Sequence, residues 1–463
     1  MQVSSQSGGM SGGGGDAPLW SSRFGFIMAA VGSAVGLGNI WKFPYMVGTG
    51  GGSAFVLMYL GFVILFTVPI LIAELMLGRK AQRSPVEAMI HLGRTHAGTA
   101  AWGLIGISGV VAALLILSFY SVVAGWAVEY VPEMLSGSVK GATAETTGGI
   151  FNALLSSPER LVIWHTVFMV MTVVIVAAGV TKGIEAAVVW MMPALFLMLL
   201  FLLVYAMLEG EFMRGIAFMF QPDFSKITVD VAIAAAGQAF FSLSVGLGTM
   251  LAYGSYLPRN ISIPKTALII GLSDTAVAII AGCAIFPIVF ASGLDPGQGP
   301  GLVFVTLPVA FGNMPFGLAI GALFFVLLSV AGLTSSISLL EPVVATVKDR
   351  LRVPRWALAV GIGFIAWAMG FLTVFSFNIW SDVHVLGERT VFDTIDYVTS
   401  SIMLPLGGAA MAIFAGWVMS RETVRQELGF TSEQIFNLWR FSVRYVAPVG
   451  VAAIAIQKIL GAG

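Results

Sequence analysis

The sequence predicts an all-α polytopic membrane protein, and three observations support this fold class. Of 463 residues, 58% are hydrophobic and 10% are charged, and the mean hydropathy is +0.94, which lies outside the range of soluble proteins. About eleven segments are long and apolar enough to cross a bilayer. Two of them are interrupted by glycine-containing stretches, GSAVGLGN from Gly32 and SLSVGLG from Ser242. A lipid-exposed helix does not tolerate such breaks, because hydrocarbon cannot satisfy the freed backbone groups.

The eleven predicted transmembrane helices follow each other along the whole chain. They lie near 22–46, 54–78, 99–131, 161–179, 184–208, 231–256, 266–290, 315–347, 355–377, 391–419 and 437–459. The stretch 298–313 is too short and too proline-broken to span, and we expect a re-entrant or capping loop there. Residues 1–19 are rich in glycine and serine, which predicts a disordered tail without the pattern of a cleaved signal peptide.

Composition excludes several classes of function. A net charge of zero argues against a nucleic-acid partner. The chain has one cysteine, Cys283, and four scattered histidines, so neither a disulfide framework nor a histidine–thiol metal site is indicated. No nucleophile motif, zinc-protease motif or nucleotide-binding loop appears. The sequence therefore predicts that the protein is not an enzyme.

Basic residues set the predicted orientation of the helices. Most of the 23 Lys and Arg fall on alternate loops, for example Arg79, Lys80 and Arg83 after the second helix. Because basic loops stay in the cytoplasm, the N-terminus is predicted to be cytoplasmic in a multi-pass protein of the cell's inner (plasma) membrane.

The two broken helices indicate how the chain is organised. Breaks in corresponding helices of two halves are typical of transporters, whose binding sites lie at such breaks. Helices one to five (20–210) and six to ten (211–420) can be superposed as two inverted five-helix repeats with broken first and sixth helices. Residues 421–463 then form a cytoplasmic loop and an accessory eleventh helix.

Four motifs carry a resemblance to a known family. The chain from Arg23 to Gly52, RFGFIMAAVGSAVGLGNIWKFPYMVGTGGG, resembles the opening of the neurotransmitter:sodium symporters. The similarity continues at Gln238–Ser244, at Ala331–Ser336 and at Asp393–Asp396, and so covers roughly 20–420. Eleven helices resemble the bacterial amino-acid transporter branch. The inverted-repeat architecture and the site assignments that follow are implied by this resemblance.

The resemblance implies two sodium sites, which suit a hard cation because they offer oxygen ligands. The first has Ala34, Asn39, Ser242 and Asp274 at the matching positions. The second has Gly32, Val35, Ala331, Thr334 and Ser335. Taken without the resemblance, the hydroxyls of Thr334–Ser336 are more often small helix-packing residues, and Asp274 could be a protonated, hydrogen-bonded core carboxylate.

The chain departs from chloride-dependent relatives at one position. Tyr59, Gln238 and Ser242 match three of their chloride-binding positions, but the fourth is Ala278. Relatives often have asparagine where this chain has Asp274, and an intramembrane aspartate must be paired or bind an ion. The carboxylate can supply the charge that chloride otherwise brings, so transport is predicted to be chloride-independent.

The resemblance also implies the substrate pocket. Backbone amides at the two breaks and the hydroxyl of Tyr120 are expected to bind a carboxylate. Gly36 replaces the aspartate of monoamine transporters, so the substrate should carry its own carboxylate. The predicted wall is mostly apolar and uncharged, which favours a neutral, hydrophobic amino acid. The predicted binding residues are Ala34, Leu37, Gly38, Ile116, Tyr120, Phe241, Ser242, Ser244, Leu247, Ser336 and Leu339.

Gates are expected on both sides of the pocket. Lys42 and Asp396 match the extracellular ion pair, with Phe241 as an aromatic lid, although most relatives have arginine in place of the lysine. The intracellular gate positions are Trp20, Tyr256, Glu341 and Asp349. Because residues 1–22 contain no Lys or Arg, Asp349 is expected to pair with Arg23 or Lys348, and this gate is predicted to be weak.

Two further features are expected to support the broken helices and the second sodium site. Glu74 in the second helix should bond the freed backbone of the broken helices. Gly183 and Pro193 mark a segment of the fifth helix that can unwind toward the second sodium site.

The sequence therefore favours a sodium-coupled amino-acid symporter that carries two sodium ions and works by alternating access. A proton-coupled transporter stays open, because Asp274 could titrate, and so does a substrate-sensing receptor on the same fold. A channel is less favoured, because the polar groups cluster at mid-membrane and do not line a continuous pore. The partners predicted are the substrate, sodium and the lipid bilayer.

Overall fold

The computed structural model describes residues 20–297, 299 and 301–460. The predicted disordered tail, 1–19, lies outside these residues. Within them the chain is mainly helical, and the only sheet is a two-stranded antiparallel hairpin of β1 (His384–Leu386) and β2 (Arg389–Thr390).

Nine helices precede the second broken span. They are α1 (Arg23–Ala34), α2 (Gly38–Thr49), α3 (Ser53–Ala81), α4 (Pro85–Ala97), α5 (Gly103–Ser136), α6 (Ala144–Leu155), α7 (Pro158–Ala177), α8 (Val180–Glu209) and α9 (Phe212–Phe220).

The other helices complete the described chain, beginning after a short 3₁₀ turn at Phe224–Lys226. They are α10 (Val229–Ser242), α11 (Thr249–Ser255), α12 (Ile263–Ala291), α13 (Leu302–Asn313), α14 (Gly317–Lys348), α15 (Arg355–Ser376), α16 (Val391–Val418), α17 (Arg421–Leu428) and α18 (433–460).

The helix count agrees with the predicted topology. Among the described residues, eight helices are long and apolar enough to cross a membrane, and α1 with α2 makes a ninth, bent by 45°. The two predicted spans that remain correspond to α10 with α11, which are separated by a six-residue break, and to α18. The predicted all-α polytopic class is confirmed.

Local sequence explains where helices α4 and α7 begin and where α4 ends. Pro85 and Pro158 occupy the first turns of α4 and α7, where a missing backbone N–H costs no hydrogen bond. The Ser157 hydroxyl accepts the amide of Arg160, and Gly98 ends α4 at φ +67°, a value that glycine adopts without strain.

The packing surrounds the broken helices with continuous ones. Helix α14 packs along α5 over most of its length and also contacts α7, α8 and α15. Helix α1 lies against α14, α8 and α12, while α11 lies against α3. The two breaks are therefore enclosed by protein, where their backbone groups can find partners other than lipid.

The proline-broken stretch 298–313 contains α13, which is too short to span. Its Phe304 ring packs edge-on against Trp126, with 5.6 Å between centroids, and the Tyr130 hydroxyl donates to the Phe304 carbonyl at 2.8 Å. This short helix closes over α5, in agreement with the predicted capping loop.

Candidate functional site

The two breaks face each other at the centre of the molecule. In the first, Val35 is extended (φ −75°, ψ 112°) and separates α1 from α2. In the second, residues 243–248 join α10 to α11, and Ser244 donates its hydroxyl to the Ser33 carbonyl at 3.1 Å. This bond links one break directly to the other.

The second break is formed by residues whose backbone is in the left-handed conformation. Ser244, Gly246 and Gly248 have φ of +53°, +91° and +73°, a conformation that favours glycine. A Cβ on Gly246 would also lie 2.2 Å from the Leu404 carbonyl oxygen. Glu74 accepts the Gly246 amide at 2.6 Å, as the sequence predicts, and so satisfies a backbone group that no helix can satisfy here.

A small cavity lies between the breaks. Its volume is about 20 Å³, so in this conformation the walls have closed together. Eight of the predicted substrate residues form or adjoin these walls: Ala34, Gly38, Ile116, Tyr120, Phe241, Ser244, Leu247 and Leu339. No charged side chain lines it among the described residues.

Three predicted substrate residues lie elsewhere. Leu37 lines a neighbouring cavity of about 350 Å³ toward Asp396. The Ser242 hydroxyl bonds the carboxylate of Asp274 at 2.8 Å. The Ser336 hydroxyl lies 2.7 Å from that of Thr172 on α7 and donates to the Leu333 carbonyl. The assignment of Ser336 to the cavity wall is therefore wrong in this conformation, because its side chain turns toward α7.

The predicted carboxylate-binding donors are already paired with each other. The Tyr120 hydroxyl accepts the Leu37 amide at 3.0 Å, and the Asn39 side-chain oxygen accepts the Gly36 amide at 3.0 Å. Gly36 leaves no room for a side chain, since a Cβ there would lie 2.1 Å from the Ser335 Oγ. An aspartate at this position would clash with the wall.

The predicted first sodium site is a buried polar cluster. The Asn39 amide donates to the carboxylate of Asp274 at 2.7 Å and to its carbonyl at 3.0 Å. The Ser242 hydroxyl donates to both carboxylate oxygens at 2.9 and 2.8 Å, and the Tyr59 hydroxyl to one at 3.3 Å. Asp274 is fully buried and forms no ion pair with any described residue. Ala34 lies five residues before Asn39, on the wall of the cavity.

The positions that match a chloride site surround the same cluster. Tyr59 and Ser242 contact Asp274, while Gln238 donates to the Gly38 carbonyl at 2.7 Å. Ala278 is buried and offers no hydroxyl. The carboxylate thus occupies two of the donors that a bound anion would use, Tyr59 and Ser242.

The predicted second sodium site joins α1 to α14. The hydroxyls of Thr334 and Ser335 each donate to the Val35 carbonyl at 3.3 Å, and Thr334 also donates to the Ala331 carbonyl at 2.9 Å. A Cβ built on Gly32 would lie 3.3 Å from the Thr334 Cβ. All five predicted residues are therefore together, and carbonyl and hydroxyl oxygens of this kind are suitable sodium ligands.

The Asp396 end of the site carries the predicted ion pair. The Lys42 ammonium lies 3.5 Å from the Asp396 carboxylate and 4.3 Å above the ring of Phe241. Beyond this pair, a cavity of about 780 Å³ opens between α2, α10, α16 and the β-hairpin. Lys42, Phe241 and Asp396 therefore lie between the central cavity and this larger one.

The Trp20 end is closed by aromatic packing. Trp20 is 4% exposed, donates its indole N–H to the Tyr253 carbonyl at 3.3 Å, and packs edge-on against Tyr253 and Tyr256. The Tyr256 hydroxyl donates to Glu341 at 3.0 Å. Glu341 in turn pairs with Arg355.

The prediction that Asp349 pairs with Arg23 or Lys348 is wrong. Its carboxylate accepts the Ser84 amide at 3.2 Å and forms no ion pair with Arg23, Lys348 or another described residue. A backbone amide supplies the donor, so a cation before Trp20 is not needed to satisfy this carboxylate.

The fifth span contains a feature that sequence reasoning missed. Glu185, on the first turns of α8, accepts the Ser21 amide at 3.0 Å and the hydroxyls of Ser21 and Ser22 at 2.6 and 3.1 Å. A Cβ on Gly25 would clash with this carboxylate. An ionisable residue within an apolar span was the available signal.

Helix α8 is otherwise continuous. The segment from Gly183 to Pro193, which the sequence predicts can unwind, is helical here, with a π turn at Val180–Glu185. Met192 approaches the second sodium site, because its sulfur lies 3.0 Å from a Cβ built on Gly32.

Two other functional candidates were also missed. Ser33 lines the central cavity beside Ser335, a predicted sodium ligand, and the Ser33 hydroxyl is buried without a described partner. Arg355 pairs with the buried Glu341. Spacing could not single out these residues, because small hydroxyls and helix-end arginines are common in membrane proteins.

Comparison with known proteins gives a consistent picture. The profile described as the sodium:neurotransmitter symporter family matches residues 17–147 and 156–462. An uncharacterized sodium-dependent transporter of Bacillus subtilis, YhdH, is 37% identical over 443 residues, which are 95% of this chain and 97% of the relative. An uncharacterized sodium-dependent transporter of Haemophilus influenzae is 32% identical, with 95% and 98% covered.

A solved structure agrees as well. The crystal structure of MhsT in complex with L-phenylalanine superposes with a TM-score of 0.89 at 41% identity, covering 95% of this chain and 99% of that one. A human sodium-dependent neutral amino acid transporter, SLC6A17, is 25% identical over 555 aligned positions, covering 97% of this chain and 74% of the relative. These similarities confirm the predicted fold class and the resemblance on which the site residues were assigned.

Proposed function

The chain belongs to the sodium:neurotransmitter symporter family, and we propose that it is a sodium-coupled symporter of neutral, hydrophobic amino acids that works by alternating access. The observation that carries this proposal is the meeting of two broken helices around one cavity, with two oxygen-rich clusters beside it. Such breaks present backbone donors and acceptors at mid-membrane, where substrate and ions bind together.

The cavity supports the substrate class. Gly38 and the Leu37 amide–Tyr120 hydroxyl pair lie where a carboxylate would be bound. The remaining wall, with Ile116, Leu247 and Leu339, is apolar. A charged substrate side chain would lose its hydration there without gaining a partner. The phenylalanine bound in MhsT agrees with this preference.

Two sodium ions are proposed, one for each cluster. The first would bind between Asn39, Ser242, Asp274 and the Ala34 carbonyl, next to the substrate carboxylate. The second would bind between the Gly32, Val35 and Ala331 carbonyls and the hydroxyls of Thr334 and Ser335. Substrate and sodium then raise each other's affinity by the same factor, which is the thermodynamic content of coupling.

Chloride independence follows from Asp274. Its carboxylate already provides one negative charge beside the first sodium position, and it occupies the hydroxyls of Tyr59 and Ser242. A chloride ion would therefore meet repulsion and few free donors.

The distribution of basic loops supports an assignment of the two gates to the two sides of the membrane. We assign the Trp20 end to the cytoplasm and the Asp396 end to the exterior of the plasma membrane, because basic loops lie at the Trp20 end. The division into repeats 20–210 and 211–420, followed by 421–463, is proposed with it. The Lys42–Asp396 pair then closes the outer gate, and Trp20, Tyr256 and Asp349 close the inner one.

The test is uptake of a radiolabelled amino-acid pool into proteoliposomes. Sodium or potassium is supplied outside, potassium inside, and gluconate replaces chloride. We expect sodium-dependent accumulation that is abolished by Tyr120→Phe and by Thr334→Val with Ser335→Ala. Tyr205→Phe is the matched control, because its hydroxyl donates to the Pro315 carbonyl away from the cavity.

The alternatives give different results in the same assay. Sodium-dependent binding without accumulation would indicate a substrate-sensing receptor. Uptake driven by an acidic exterior, with no response to sodium, would make Asp274 a proton carrier. A strict requirement for chloride would contradict the proposed role of the aspartate.

A further inference from the structure

A second polar cavity lies at the Trp20 end, beside the proposed inner gate. Its volume is about 460 Å³. One wall is the start of α1, with Ser21, Ser22 and Arg23, and the other is the loop 258–262 with the start of α12 and Lys265. Trp20, a residue of the proposed inner gate, also lines it.

The cavity is lined by cations and hydrogen-bond donors. Arg23 and Lys265 are exposed and form no ion pair with a described residue. Ser262 and the amide of Asn260 add polar groups, and no carboxylate lines the cavity among the described residues. The closest acidic side chain in the bonding network is Glu185, which is occupied by the hydroxyls of Ser21 and Ser22.

Both walls are fixed before any ligand binds. On one side, Trp20 is held by Tyr253 and by the Tyr256 carbonyl, which accepts the Trp20 amide at 3.5 Å. On the other, Arg79 donates to the Ile261 carbonyl at 2.6 Å and is itself held by Glu427. A preformed site loses less conformational entropy on binding.

We propose that this cavity binds an anionic phosphate group between Arg23 and Lys265, supplied by a phospholipid headgroup or by free phosphate. Two cations at a concave surface, with the Ser262 hydroxyl and the Asn260 amide beside them, match the charge and the several acceptor oxygens of a phosphate.

The position of this site gives it a consequence for the inner gate, which rests on the proposed function. Arg23 begins α1, the first half of a broken helix, whereas Lys265 lies in the first turn of α12. A phosphate bound to both ties the start of α1 to α12 and holds the cytoplasmic side closed.

The test is lipid binding to the detergent-purified full chain, followed by native mass spectrometry. Phosphatidylglycerol is titrated against phosphatidylcholine of the same acyl chains, and inorganic phosphate is added as a competitor at constant ionic strength. The variants are Arg23→Gln and Lys265→Gln. Arg259→Gln is the matched control, because it removes an exposed charge from the same loop without lining the cavity.

We expect one phosphatidylglycerol to bind more tightly than phosphatidylcholine, and each cavity variant to weaken it at least about tenfold, because the side chain contacts the phosphate directly. Arg259→Gln, which contributes only to the surface potential, should change it no more than about fivefold. Displacement by inorganic phosphate identifies the phosphate group alone as the ligand, and its failure to displace identifies the lipid headgroup. Equal affinity for the two lipids, or an equal loss in the control, overturns the proposal.

These outcomes do not depend on transport. A parent protein that binds phosphatidylglycerol as expected but transports nothing refutes the proposed function only. Monodisperse elution of each variant checks the fold, which exposed substitutions should leave intact.

Discussion

Replacing Asp274 with asparagine removes the one buried negative charge of the proposed first sodium site and leaves its shape unchanged. The carboxylate accepts hydrogen bonds from Asn39, Ser242 and Tyr59 and is fully buried. An amide retains one acceptor oxygen for these donors. The variant therefore isolates the effect of charge from the effect of packing.

The expected loss follows from the electrostatics of the site. A sodium ion about 4 Å from a carboxylate gains roughly 4 kcal/mol at an effective dielectric constant of about 20. The asparagine oxygen recovers part of this as a dipole, and the empty variant no longer buries an unpaired charge. We therefore expect a net loss of about 1.5–3 kcal/mol in the free energy of sodium binding. The sodium concentration for half-maximal binding should then rise roughly tenfold to 100-fold.

The assay is substrate binding at fixed amino-acid concentration with sodium as the variable, in gluconate and again in chloride. Without the carboxylate, Tyr59 and Ser242 regain free hydroxyls, so chloride should lower the sodium requirement of the variant and leave that of the parent protein unchanged.

Glu74→Gln is the matched control. Glu74 is as fully buried as Asp274, but it bonds the Gly246 amide and lies outside the ion cluster. A general effect of losing a buried carboxylate would appear in both variants. An unchanged sodium dependence in Asp274→Asn would refute the reasoning, and an equal shift in Glu74→Gln would remove its specificity.

Other variants test the remaining parts of the site. Tyr120→Phe removes a hydroxyl that would bond a substrate carboxylate, which is worth about 1.5–3 kcal/mol; substrate affinity in scintillation proximity binding should fall at least tenfold, and a smaller loss would place the carboxylate elsewhere. Thr334→Val should lower the Hill coefficient for sodium, because one ion site loses a ligand; an unchanged coefficient would contradict the second site. Lys42→Gln breaks a partly exposed ion pair worth about 0.2–1 kcal/mol, so labelling of a cysteine placed in the central cavity should accelerate up to about fivefold. Glu185→Gln weakens the bonds to Ser21, and hydrogen exchange of residues 20–25 should increase while that of α14 stays constant.

The sequence was sufficient for the fold because the signals are long and independent of context. Apolar segments of about twenty residues indicate transmembrane spans. The sequences GLGN at Gly36 and GLG at Gly246 indicate helix breaks, which a lipid-facing helix does not tolerate. Family resemblance then predicted two sodium sites, and the structure brings the residues of each prediction together.

Side-chain direction could not be obtained in the same way. Ser335 and Ser336 are adjacent on α14, but one lines the cavity and the other contacts Thr172, since neighbouring helical residues point about 100° apart. The partner of Asp349 was missed for a related reason. The charged residues can be read from a sequence, but the backbone amides that lack a partner in the fold cannot. Here the Ser84 amide, and not a cation, binds the Asp349 carboxylate.

The pairing of the Tyr120 hydroxyl with the Leu37 amide also bears on the unloaded protein. A carrier must return without cargo after each delivery, and a site with exposed, unsatisfied donors would draw in water and ions on the way. In this chain the Tyr120 hydroxyl satisfies the Leu37 amide, so this donor is not left to draw in water or an anion. We therefore expect the hydroxyl that holds the substrate carboxylate to limit slippage as well.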